Sequence, residues 1–122
     1  MAIGYKKRER EGEKIPTRYM SRRQEDQVAK NTGGQRQPNS GATPWAPGDV
    51  VSGKVLIECK TKMSASESMT LHKNWLEKNK QEAVFRGLPY SVLAINFGPD
   101  QENYYIINES TFIDFIDYLN NR

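Results

Sequence analysis

The chain has one cysteine and one histidine in 122 residues. A single thiol excludes an intrachain disulfide and the usual zinc clusters. A single imidazole, His72, excludes His-pair metal sites and argues against a Ser-His nucleophile. No apolar run is long enough to span a membrane, and the N-terminus carries no hydrophobic leader segment. A soluble, intracellular, cytoplasmic protein is therefore expected. Apolar residues are themselves scarce, at 36% of the chain with a mean hydropathy of −0.81, so part of the chain is expected not to pack. The length allows one hydrophobic core, and no internal repeat is visible.

The part expected to stay unpacked is residues 1–18, which carry Lys6, Lys7, Arg8, Arg10, Lys14 and Arg18 against Glu9, Glu11 and Glu13. Almost no apolar periodicity accompanies these charges, so the segment reads as a flexible basic arm preceding a single domain at 19–122. Such an arm is either a solubilising tail or a phosphate-binding one; phosphate contacts release counterions whatever the base sequence. The formal net charge is only +3, but residues 100–122 carry Asp100, Glu102, Glu109, Asp114 and Asp117 against Arg122 alone. A basic front and an acidic rear are what a surface facing nucleic acid on one side would show.

The most informative segment is 48–60. Two runs of β-branched and aliphatic residues flank Gly53-Lys54, a glycine at the first position of a two-residue type II′ loop. With that loop, Ser52 opposes Val55, Val51 opposes Leu56, and Asp49 opposes Glu58. Period-two alternation puts Lys60 on the face of Glu58 and leaves Val50, Val55, Ile57 and Cys59 to bury on the other. Opposed carboxylates repel unless something positive intervenes. A divalent cation, Lys60, or water on an exposed strand would each serve.

Around the hairpin, Ser21-Arg22-Arg23-Gln24 forms a capping-box pattern for a helix from about 22 to 30, ended by Gly33-Gly34. Glu25 falls on its apolar stripe with Val28 and Ala29; an acid there either faces the hairpin charges or stays in water beside Arg22. Residues 35–47 read as loop, with Trp45 as a packing anchor. A helix is predicted over 66–86, with Met69, Leu76, Ala83 and Val84 among its apolar positions and Gly87 as its stop. Strands follow at 90–97 and 104–108. Ser110 is the expected cap of a final helix whose Phe112, Ile113, Phe115, Ile116 and Leu119 seek cover from the core or from a second subunit. The order implies an α/β fold, a mixed β-sheet flanked by α-helices.

Asp49, eight intervening residues and then Glu58-Cys59-Lys60 resemble the signature of the PD-(D/E)xK nuclease superfamily, with Gly48 where that pattern often has proline. The segment from Arg36 to Ala42 is similar to the Arg and Ser-Gly loop of archaeal and phage-type Holliday junction resolvases, which also carry an acid on a preceding helix, as Glu25 would be. The resemblance spans roughly residues 20–100. It implies a restriction-endonuclease-like core and a metal-dependent endonuclease of prokaryotic or virus-infected cells, cutting four-way junctions as a homodimer. It implies Glu25, Asp49, Glu58 and Lys60 as catalytic residues. Asp49, Glu58, the Cys59 carbonyl and Glu25, directly or through water, would hold Mg²⁺, for which Mn²⁺ should substitute. Lys6, Lys7, Arg8, Arg22, Arg23, Arg36, Ser40 and Lys62 are the expected DNA contacts. Two other readings stay open: a flap, nicking or restriction-like endonuclease, and a non-catalytic basic nucleic-acid-binding module.

Overall fold

The structure is a computed structural model that describes residues 17–37 and 49–122. Eight elements follow one another: α1 (Thr17–Thr32), β1 (Gln35–Arg36), β2 (Asp49–Ser52), β3 (Val55–Thr61), α2 (Lys73–Phe85), β4 (Tyr90–Asn96), β5 (Asn103–Ile106) and α3 (Glu109–Asn120). The strands form one mixed sheet in the order β1-β2-β3-β4-β5. Only β3 and β4 run parallel, joined through α2 as a βαβ unit; the other pairs are antiparallel. The α/β class with a mixed, helix-flanked sheet is as the sequence implies.

The hairpin register is the expected one, with Asp49 opposite Glu58 and Ser52 opposite Val55. Gly53 has φ 57, and Lys54 is not among the described non-glycine residues with positive φ. A positive first position followed by a negative second is the type II′ signature. Val50, Ile57 and Cys59 join Val28 of α1 with Val92 and Ala94 of β4 in the main core cluster, with Ala29 and Val55 packed against it. The opposite face lies under α2. Its buried Asn79 donates to the carbonyls of Val92 (3.0 Å) and Leu56 (3.5 Å), and Ala83 is buried beside it.

Helix ends account for most departures from expectation. Helix α1 begins at Thr17, so Ser21 lies inside it and two residues of the expected arm are helical. Met20, 6% exposed, gives that first turn an apolar anchor, and packing outweighs a local cap signal. Helix α2 starts at Lys73, not near 66. Upstream, the Ser66 hydroxyl donates to the Ser68 carbonyl (2.8 Å) and accepts from the Ser68 amide (3.3 Å), a local alternative to helical bonding. Met69 therefore lies outside the helix, while Val84, on it, is 69% exposed. Asn108 rather than Ser110 caps α3, accepting from the Thr111 amide at 3.0 Å. The predicted strands end slightly early, at Asn96 and Ile106, and the two-residue β1 lies where loop was expected.

Both predicted glycine stops hold. Gly33 (φ 71) follows α1 and Gly87 (φ 73) follows α2, each in the left-handed region that closes a helix. Gly34 is needed for a different reason: a Cβ there would come within 2.7 Å of the Val51 carbonyl oxygen. Gly34→Ala is expected to destabilise the fold by about 1–3 kcal/mol, since that oxygen belongs to the sheet and has little room to move. Denaturant unfolding would measure it.

Candidate active site

Strands β2 and β3 and helices α1 and α2 bring the site together. Asp49 opens β2 and Glu58 lies across from it on β3. Their side chains share the face covered by α2, so both are buried, at 8% and 7% exposure. They are not solvated hairpin charges. Counting from the loop-closing Ser52–Val55 pair, the Asp49–Glu58 pair falls at a non-hydrogen-bonded position, where opposed side chains approach most closely. Each carboxyl group is among the groups that shift the other's pKa, as closely opposed acids do. Burial is the main reason the Glu58 pKa is raised, to about 7, with Lys60 lowering it and Asp49 raising it further. Asp49 is raised to about 6, again by burial first, against the lowering effect of Arg86.

Lys60 keeps the predicted parity. Its Nζ lies 3.4 Å from Glu58 Oε2 and 4.6 Å from the centroid of the Trp75 ring on α2. A cation held between a carboxylate and an aromatic face is restricted in where it can reach. His72, exposed at the start of α2, meets Trp75 edge-on at 4.7 Å between centroids. Pairing of β3 with β2 stops at Glu58 among the described residues, so the Cys59 carbonyl lies just where the ladder ends. The Cys59 side chain points into the α1 core, where burial pushes its thiol pKa far up. It is core rather than nucleophile, as expected.

Glu25 is brought in from α1, 5% exposed, one turn from Val28 in the core. Burial raises its pKa to about 7; Arg36 lowers it and Asp49 is among the charges that raise it. Among the described residues, no three His, Cys, Asp or Glu side chains converge closely enough to hold a metal ion. Asp49 and Glu58 are thus the central pair, with Glu25 at the margin. The donor set still suits a hard divalent cation: two buried carboxyl groups stand opposite one another, beside the part-exposed cations Lys60 and Arg86.

The expected DNA contacts are dispersed. Arg36 lies on β1 and its Nε donates to Asp26 Oδ1 at 3.1 Å. Arg23 is tied to Asp100 in the turn after β4, and Arg22 is exposed on α1. Lys62 directly follows the end of β3, and its amide donates to the Asn96 carbonyl at 3.1 Å. Lys6, Lys7, Arg8 and Ser40, like Trp45 and Gly48, lie outside the described residues.

One charged neighbour was not anticipated. Arg86, the C-cap of α2, donates from Nη2 to Asp49 Oδ2 at 3.3 Å, from Nη1 to Gln37 Oε1 at 3.2 Å and from Nε to Glu82 Oε2 at 2.8 Å. The Glu82–Arg86 spacing of four on a predicted helix marks the local pair. Nothing local marks Asp49 as its third partner. The chain matches no protein-family model, no curated protein and no solved structure.

Proposed function

We propose that the protein is a Mg²⁺-dependent, structure-selective DNA endonuclease with a restriction-endonuclease-like core, cutting four-way junctions as a Holliday junction resolvase. The observation that carries this reading is the buried, directly opposed Asp49–Glu58 pair with Lys60 on the same face. Two carboxylates with raised pKa values, placed together and flanked by a lysine, form a functional-site pattern rather than a surface one. The same burial weighs against a binding module with merely solvated charges.

In this reading Asp49, Glu58 and the Cys59 carbonyl would hold the ion, with Glu25 assisting directly or through water. Bound there, the ion supplies an acidified water and charge stabilisation at the phosphate. Asp49 and Glu58, whose pKa values are raised to about 6 and about 7, must be deprotonated to take that role. Lys60 orients the attacking water or offsets negative charge growing on the phosphate, and Trp75 fixes its direction. The cleaved strand would carry a 5′-phosphate, following the nuclease resemblance.

Paired cuts need two sites, and a homodimer supplies them by symmetry. Helix α3 is the proposed contact. It buries none of its own residues, and Phe112, Phe115 and Leu119 are each 50% exposed; a free apolar surface of this kind marks an interaction face. On its polar side, Tyr90 Oη donates to Asp114 Oδ2 at 2.9 Å. Among the described residues, no helix is long and apolar enough to cross a membrane.

The test is a labelled synthetic four-way junction and a linear duplex of the same sequence, each incubated with protein and Mg²⁺. Two symmetric nicks on the junction, with little cutting of the duplex, are expected. Equal cutting of both would transfer the assignment to a flap, nicking or restriction-like endonuclease, and no cutting of either would overturn it.

A further inference from the structure

Three cations near the candidate site are paired with carboxylates. Lys60 serves Glu58, Arg36 serves Asp26, and Arg86 serves Asp49. The Arg86 arrangement is asymmetric. Its Nε bond to Glu82, one turn back on the same helix, is short at 2.8 Å, whereas its reach to Asp49 is one contact at 3.3 Å. Gln37 holds the remaining nitrogen at 3.2 Å, and the Gln37 amide also donates to the Asp49 carbonyl at 3.0 Å. The guanidinium is therefore anchored at Glu82 and leans on Asp49. With 29% of its side chain exposed, it has solvent into which to withdraw.

We infer that Arg86 is a positioning residue that stands in for the divalent cation: it neutralises and aims Asp49 until the ion arrives, then gives way while still tethered to Glu82. This rests on the metal-site reading above. Mg²⁺ and Mn²⁺ carry twice the charge of a guanidinium, and Mg²⁺ approaches oxygen to about 2.1 Å. Charge over distance then favours the ion over the 3.3 Å contact by about threefold before either is desolvated. Arginine suits the waiting role because its planar fork holds three acceptors at once and it cannot lose its own proton. The predicted cost of this arrangement is competition: every ion that binds must displace a cation already in place.

Calorimetric titration of the full chain with Mn²⁺ alone, at pH 8, separates this from a purely structural role. Arg86→Gln should bind Mn²⁺ about fivefold more tightly than the unmodified protein, the worth of a part-exposed ion pair, and Asp49→Asn should abolish the difference. Arg86→Lys keeps the charge but not the fork, and should bind about twofold more tightly. A structural role predicts the reverse, because a misplaced Asp49 binds metal less well. Unchanged or weaker Mn²⁺ binding in Arg86→Gln with native circular dichroism overturns the inference; if Arg86→Gln does not fold, the same result in Arg86→Lys does so. Mn²⁺ binding that is insensitive to Asp49→Asn in the unmodified background overturns the metal site itself, and this inference with it.

Discussion

Asp49→Asn should lower Mg²⁺-dependent junction cleavage by roughly a thousandfold while leaving the protein folded. The substitution preserves shape and hydrogen-bonding size and removes the charge. Asp49 is one of only two carboxylates at the centre of the site, so the loss is not shared among many ligands. Mg²⁺ takes few protein ligands and holds its waters tightly, which makes one missing carboxylate decisive. Folding should survive because the change removes a buried acid whose main pKa influence is desolvation. Arg86 loses its weakest contact and keeps Glu82 and Gln37. Lys60→Ala should cost less, roughly a hundredfold, and the loss should fall on the rate at saturating metal rather than on metal affinity. Single-turnover cleavage across a Mg²⁺ series, together with Mn²⁺ calorimetry, reads both. Undiminished cleavage by Asp49→Asn would remove the assignment altogether.

The second large effect is on stability, and its sign is opposite to that of most proteins. Glu25 and Glu58 rise from an ordinary 4.5 to about 7, and Asp49 from 3.8 to about 6. Between those limits the folded chain holds protons that the unfolded chain has released. Stability without metal must then fall as pH rises from about 4.5 to about 7, and level off beyond. Glu58 alone accounts for about 3 kcal/mol over that window, a large part of a small domain's total. A divalent cation binding only the folded state would restore about 2.7 kcal/mol at a hundred times its dissociation constant. Thermal midpoints should accordingly be higher at pH 5 than at pH 8 in chelator, and Mg²⁺ should raise the midpoint at pH 8 but scarcely at pH 5. A midpoint that climbs steadily from pH 5 to pH 8 in chelator would show that these carboxylates are not held as described.

The pairing of Asp49 with Glu58 was legible in the sequence because it depends on a two-residue turn and on the period of a strand, both of which are local. The same parity sorted Val50, Ile57 and Cys59 to the core correctly. Which face would be covered was not legible. Glu58 and Lys60 look like a solvated strand edge until α2 is laid over them, and α2 itself starts seven residues later than its sequence pattern suggested. The capping box at Ser21 was overruled by Met20, a packing decision that no local window contains. Arg86 was missed for a related reason. Its helix partner Glu82 is encoded four residues away, whereas its contacts to Gln37 and Asp49 exist only after the helix has folded back across the sheet.

The hairpin that carries Asp49 and Glu58 has a consequence for how the chain assembles. Hairpins close within about 1–10 microseconds, well before distant segments find their places. The two acids therefore meet early, on a nascent turn still surrounded by water, where their repulsion is weakest. Burial beneath α2 comes later and makes their proximity costly. The order of events lets the chain bring its two opposed acids together while solvent still shields them, and defers the electrostatic penalty to the docking of a single helix.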